Sequence, residues 1–94
     1  MRRTKYEVRR INEWNELAYV CSAQAYPLRV AEREITLRGG VYLVMTIKTK
    51  EIKAYRYDGD KFTRTKIPEY IMPYIVKWID IYAQLEHINL RCRR

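Results

Sequence analysis

The sequence has few of the side chains on which most catalytic and metal sites depend. It holds one histidine, His87, one serine, Ser22, and two cysteines, Cys21 and Cys92. His87 has no second ligand at a spacing suited to metal binding, and Ser22 and Cys21 lie far from it along the chain. A metal centre and a histidine-based nucleophilic pair are therefore not expected. We expect a protein that is not an enzyme and has no cofactor.

Long apolar runs are also missing. No stretch reaches the roughly 18 apolar residues that span a bilayer, and the charged residues 1–10 do not lead into the apolar part of a secretory signal. The two cysteines are 71 positions apart, which favours free thiols in a reducing compartment. Cys92 could instead cross-link two chains. The sequence thus predicts a cytoplasmic protein without membrane contact.

Three short segments resemble functional motifs but lack the necessary context. The segment 51–53 has the Glu-x-Lys spacing of a metal-dependent nuclease, but residues 41–50 contain no acid to complete that site. The segment 58–60 lacks the further oxygen ligands of a calcium loop. The glycines at 39–40 precede a strand pattern, whereas a phosphate-binding loop opens a helix. Metal-dependent nuclease activity, or ribonuclease-toxin activity based on Arg, Lys and Tyr, remains an alternative.

Bulky apolar residues are plentiful instead. The 94 residues include nine tyrosines, two tryptophans and ten isoleucines. A chain of this length forms one domain and buries only about 60–65% of its unfolded surface. Few amide side chains and many charged ones are typical of proteins from hot environments, including small viral and accessory proteins. We expect one domain over 1–94, with a basic N-terminal arm (1–5) and a basic C-terminal tail (91–94).

The N-terminal third of the chain carries the pattern of an amphipathic helix. Asn12 suits the N-cap position, and Glu13 and Glu16 would lie in the first turn, where the helix dipole favours carboxylates. Apolar residues then recur at helical spacing until Pro27 interrupts them. The sequence therefore predicts an N-terminal helix from 13 to about 25, preceded by a short strand or basic arm over 6–11.

The next segment has a hydrophobic period of two. Three turn signals predict a four-stranded antiparallel meander from about 34 to 66. Pairing Lys48 with Glu51 places Met45 opposite Ala54, which makes one sheet face apolar and the other charged or aromatic. A four-residue loop at this turn is equally compatible with the sequence. Together with the helices, the meander defines an α+β fold.

A long apolar C-terminal helix is predicted to start near Pro73 and to pack on the sheet. Its polar positions form a narrow stripe, so its apolar surface is wider than that of an ordinary surface helix. Its second side needs cover from either the first helix or another subunit. We favour a homodimer, which would enlarge the core of so short a chain. The expected dimer or partner interface consists of Tyr74, Trp78, Ile81, Tyr82, Leu85 and Ile88.

Positive charge is concentrated in the two ends and one hairpin. The net charge is +8, yet residues 6–90 hold 13 basic and 11 acidic groups. Lys and Arg neutralise phosphates, and aromatic rings stack on bases. The sequence therefore predicts a small basic protein that binds nucleic acid, mostly without sequence specificity. The expected contacts are Arg2, Arg3, Lys5, Lys48, Lys50, Lys53, Tyr55, Arg56, Tyr57, Lys61, Arg64, Lys66, Arg91, Arg93 and Arg94.

These features also have an ordinary structural explanation. Lys and Tyr are common on the solvated face of a sheet, and lysine discourages pairing at sheet edges. Arginine at a helix C-terminus complements the helix dipole. The alternative function is therefore a non-enzymatic interaction module, such as a viral or accessory dimeric protein that binds an acidic partner.

Overall fold

The computed structural model describes residues 4–34 and 38–92, with side chains described for 4–33 and 38–85. The fold is α+β, as predicted, and its five-stranded antiparallel sheet has the order β2-β1-β3-β4-β5. Neither described α-helix combines the length and the apolar composition of a membrane-spanning segment. The elements in chain order are β1 (Tyr6–Ile11), β2 (Leu17–Ala23), α1 (Pro27–Glu34), β3 (Gly40–Thr46), β4 (Glu51–Tyr57), β5 (Phe62–Thr65), a 3-10 turn (Glu69–Ile71) and α2 (Met72–Cys92).

The helix predicted for 13–25 is wrong, because this segment forms a hairpin loop and strand β2. Asn12 does cap backbone N–H groups, but its Oδ1 accepts from Trp14 and Glu16, both at 2.9 Å, within the loop. Asn15 adopts a φ of 58°, which closes the loop and lets β2 return antiparallel to β1. The apolar residues of β2 fit a period of two as well as 3.6, and pairing with β1 decides between them.

The helix in this part of the chain begins where the sequence predicted a helix end. Pro27 occupies the first position of α1, where its missing N–H removes no helical hydrogen bond. Glu34, the predicted start of the meander, ends α1. The predicted first strand also includes Ile35 and Leu37, which lie outside the described residues. The place beside β3 is taken by β1, so the predicted four-strand meander is corrected to β3, β4 and β5 next to a separate hairpin.

The β3–β4 hairpin keeps the predicted faces in a register shifted by two residues. Met45 pairs with Ile52, whereas the sequence-based register paired Met45 with Ala54. A shift by an even number of residues leaves every side chain on its face. The cause is a four-residue turn, the alternative that the sequence also allowed. In that turn Lys50 has a φ of 64° and donates its N–H to the Thr46 carbonyl at 2.7 Å.

One face of the sheet packs against α2 and forms the main core. As predicted, α2 covers the sheet, and it begins at Met72, one residue before the predicted start. Trp78 is 1% exposed, and the Cζ atom of Arg9 lies 4.8 Å from the centre of its ring. The buried residues of the main core are Ile11, Leu43, Met45, Ala54, Ile71, Ile75 and Trp78.

The opposite face packs against α1 and forms a second core. Tyr42 is buried there, and its hydroxyl donates to the carbonyl of Arg38 at 2.6 Å. The rings of Tyr57 and Phe62 meet Tyr42 edge to face, with centroid distances of 6.2 and 5.6 Å. The sheet therefore has apolar cover on both faces within one chain. The buried residues of the second core are Val8, Cys21, Ala31, Tyr42 and Val44.

An ion pair within β1 lies next to Trp78 of the main core. Glu7 is 2% exposed, and its Oε1 lies 2.6 Å from Nε of Arg9. Removing one partner of a buried pair leaves an uncompensated charge, which costs about 3–5 kcal/mol. We expect Arg9→Ala to lower the free energy of unfolding by about 3 kcal/mol, measured by urea unfolding. Adding Glu7→Gln should recover part of that loss, and a single variant as stable as the wild type would contradict the prediction.

The β4–β5 turn is organised by the carboxylate of Asp58. The backbone N–H groups of Lys61 and Asp60 donate to its Oδ1, both at 2.9 Å, and hold the pKa of Asp58 below its ordinary value of 3.8. The pKa of Asp58 is lower in the folded state than in the unfolded state. At a pH above the unfolded-state pKa, Asp58 therefore stabilises the fold, and this contribution is lost as the pH falls through the folded-state pKa.

The expected consequence is a difference in acid sensitivity. Below about pH 4, the melting temperature of the wild type should fall more steeply than that of Asp58→Asn. The Asn amide oxygen accepts the same bonds at every pH. Melting curves from pH 7 to pH 2 check this, and parallel curves would show that the carboxylate does not matter.

Candidate nucleic-acid interface

A groove of about 640 Å³ opens between the start of α1 and the neighbouring sheet face. Lys53 and Tyr55 of β4 contribute to one side, and Tyr26 and Arg29 at the start of α1 contribute to the other. We call this depression the α1 groove. It brings two basic side chains and several tyrosine rings together.

The groove follows from the pairing of the strands. Lys53 pairs with Val44 and Tyr55 with Tyr42, so both side chains share the face of the second core. The short helix α1 packs mainly on β2 and β1. The part of β4 that carries Lys53 and Tyr55 is therefore left open on this face, and these two side chains line the groove together with the start of the helix.

The lining of the α1 groove is basic and includes no acidic side chain. Its two cations are Lys53 and Arg29. Arg29 lies over the ring of Tyr26, with Cζ 5.7 Å from the ring centre, and Tyr26 is 73% exposed. Lys53 Nζ is 3.4 Å from the exposed Glu51 carboxylate, a contact that solvent screens. The N-terminal end of α1 adds its positive partial charge.

The basic residues predicted on the hairpin do not share one surface. Lys53 and Tyr55 lie in the α1 groove, and Arg64 lies beside it with Cζ 5.9 Å from the ring centre of Tyr55. Arg56 lies on the opposite sheet face, paired with Val41, which packs against the main core. The others occupy the two turns and the segment after β5: Lys48 and Lys50 in the β3–β4 turn, Lys61 in the β4–β5 turn, and Lys66 beyond β5.

Tyr57 belongs to the second core rather than to the groove. Its ring centre is 4.6 Å from that of Phe62. Partial burial raises the pKa of Tyr57, and the nearby Glu32 and Asp60 add to this shift, so the phenol stays neutral at physiological pH. Its position in an aromatic cluster accounts for this tyrosine without a ligand.

The predicted contacts at the two chain ends fall largely outside the described part. Lys5 is exposed and lines a second hollow of about 560 Å³, next to the start of β1, the end of β2 and the middle of α2. Arg91 lies in α2, but its side chain is not among those described. The remaining predicted end residues, Arg2, Arg3, Arg93 and Arg94, lie outside the described residues.

The predicted interface on α2 separates into buried and exposed parts. Trp78 belongs to the main core, and Tyr82 packs partly against it. Tyr74, Ile81 and Leu85 are 36%, 48% and 49% exposed. The side chain of Ile88 lies outside the described ones.

Sequence reasoning missed Tyr26 and Arg29. No element was predicted between about residue 25 and about residue 34, so neither residue had a place in the predicted fold. The signal that could have found them is Pro27, since proline is favoured at the first position of a helix as well as after its end.

Within the described ranges, His, Cys, Asp and Glu nowhere form a group of three that could hold a metal ion. The Glu-x-Lys segment places Glu51 next to Lys53 as an exposed ion pair. No protein-family model, curated protein or solved structure matches this chain. The chemistry of the α1 groove is therefore the basis for a functional proposal.

Proposed function

We propose that this protein binds nucleic acid without sequence specificity and that the α1 groove is a contact surface. The supporting observation is that Lys53 and Arg29 line the groove together with tyrosine rings and without an acidic side chain. Phosphates would lie against the two cations, and a base would stack on the exposed ring of Tyr26. None of these contacts reads the edge of a base, so affinity should depend little on sequence.

The same proposal favours unpaired strands over duplexes. Stacking on Tyr26 requires a base whose face is free, and bases in a duplex are stacked on each other. The basic ends would add contacts to the backbone, with Arg2, Arg3 and Lys5 at one end and Arg91, Arg93 and Arg94 at the other.

The test is fluorescence anisotropy with labelled single strands and duplexes of several sequences, titrated at 50 and 200 mM salt. We expect single strands to bind more tightly than duplexes, with affinities that fall as salt rises and vary little among mixed sequences. Absence of binding at 50 mM salt would refute the proposal. Binding that is insensitive to salt would point to an interaction other than phosphate contact.

A role as a protein-interaction module is the second candidate. It is supported by the exposed apolar side chains Tyr74, Ile81 and Leu85 on α2. An acidic partner is not favoured at that surface, because the charged side chains described on α2 are one cation, Lys77, and one anion, Asp80.

A further inference from the structure

The apolar surface of α2 is wider than the sheet can cover. Ile71 and Ile75, like Trp78, are at most 3% exposed and pack into the main core. On one flank of that buried stripe, Ile81 and Leu85 leave about half of their side chains exposed. Contiguous exposed apolar side chains on a small protein mark an interaction surface.

The spacing along this flank is that of paired helices. Tyr74, Trp78, Ile81 and Leu85 follow one another at intervals of four, three and four residues, and in the sequence Ile88 continues the series. Alternating intervals of four and three place side chains on one seam between two helices that pack side by side. Trp78 marks the border of the seam with the sheet, because its own side chain is buried in the main core.

The charge of this surface restricts what can cover it. The chain carries a net charge of +8, yet the described side chains of α2 include only Lys77 and Asp80 as charged groups. Lys5 lines a hollow together with Leu85, so among the described residues nucleic acid or an acidic protein would find scattered cations here rather than a dense cluster. An apolar helix of low charge fits, and α2 of a second copy has that composition.

We propose that two copies of this chain form a twofold symmetric dimer in which their α2 helices pack antiparallel along the seam of Tyr74, Ile81 and Leu85. A parallel arrangement would set Lys77 beside the partner's Lys77, with like charges at the same level. In the antiparallel arrangement centred on Ile81, Lys77 lies near the partner's Leu85 instead, where its aliphatic stem covers apolar surface.

The dimensions suit a reversible dimer. The 21 residues of α2 extend over about 31 Å, and helices packed in this way lie about 8–10 Å apart. A contact of one helix per copy is at the small end of stable interfaces, so we expect a dissociation constant in the micromolar range. The α1 groove lies on the other sheet face, so it stays open in the dimer. The dimer proposal therefore does not rest on the proposed function.

Sedimentation velocity of the full chain at 1 to 200 μM tests the proposal. We expect a shift from 11.5 kDa to twice that mass as concentration rises. Because each copy carries +8, raising salt from 0.1 to 0.5 M should strengthen dimerisation. Nucleic-acid binding should weaken over the same range, which separates the two proposals. A monomer at 200 μM in both salts, or a dimer that salt dissociates, would overturn the proposal.

Matched variants locate the surface. Ile81→Glu places two carboxylates at the twofold axis and should weaken dimerisation at least about thirtyfold. Val76→Glu introduces the same charge at a position that is 52% exposed on the other flank of α2, and should leave the dimer intact. Far-UV circular dichroism verifies that both variants are folded. Equal weakening by both, or by Val76→Glu alone, would show that the seam is not the interface.

Cross-linking determines whether the two α2 helices are parallel or antiparallel, and it does not require that Ile81→Glu folds. In a chain carrying Cys92→Ser, mild oxidation should link two copies through Ile81→Cys but not through Lys77→Cys. Linkage through Lys77→Cys would show parallel helices and overturn the antiparallel arrangement. Failure of Ile81→Cys to link at 200 μM would overturn the seam itself.

Discussion

Removing both groove cations, with Arg29→Ala and Lys53→Ala in one chain, is expected to weaken single-strand binding about 25-fold at 0.1 M salt. Each phosphate contact on a single strand contributes about −0.7 to the slope of log affinity against log salt concentration. One contact therefore raises the affinity at 0.1 M salt about fivefold relative to the affinity at 1 M salt. The slope itself should become shallower by about 1.4. Anisotropy titrations between 0.05 and 0.3 M salt measure both quantities.

The control for this prediction is Arg56→Ala. Arg56 is exposed and lies on β4 three positions after Lys53, but its side chain is on the opposite sheet face. Arg56→Ala removes one positive charge, as Lys53→Ala does, but from outside the groove. It should leave affinity within about twofold of the wild type and the slope unchanged. Equal effects of Arg56→Ala and Lys53→Ala would mean that binding follows net charge. Full affinity of the double variant would place the contacts at the basic chain ends.

The sequence predicted those parts of the fold in which apolar residues recur with a single clear period. The length and wide apolar surface of α2 allow no other element, and the alternation through β3 and β4 defines two faces even where the register is shifted. The segment 17–23 satisfies both helical and strand periods. Its assignment depends on pairing with β1, which is a tertiary contact that local spacing does not contain.

The sequence predicted the β4 side of the α1 groove but not the α1 side, and the reason is again a tertiary contact. Alternation along β4 already separates Lys53 and Tyr55 from Arg56, so the sequence contained the division into two faces. Which face stays open depends on where α1 and α2 pack. With no helix predicted for the residues of α1, Arg29 had no known neighbour, and the groove that it shares with Lys53 could not be foreseen.

The largest expected loss of stability comes from Trp78→Ala. Trp78 is 1% exposed and is the largest side chain of the main core, where it connects α2 to the sheet. Truncating a buried tryptophan to alanine costs about 3–5 kcal/mol. Proteins of this size are stabilised by roughly 5–14 kcal/mol, so the variant should be at the edge of folding. Urea unfolding followed by circular dichroism gives the difference in free energy.

A second substitution at the same position separates packing from hydrogen bonding. Nε1 of Trp78 is buried and donates to no atom of the described residues, so losing the indole N–H removes no hydrogen bond to them. Trp78→Phe keeps most of the apolar volume and a ring for the Arg9 guanidinium, and should cost only about 1–2 kcal/mol. If phenylalanine destabilised the fold as much as alanine, apolar packing against the sheet would not explain the contribution of Trp78.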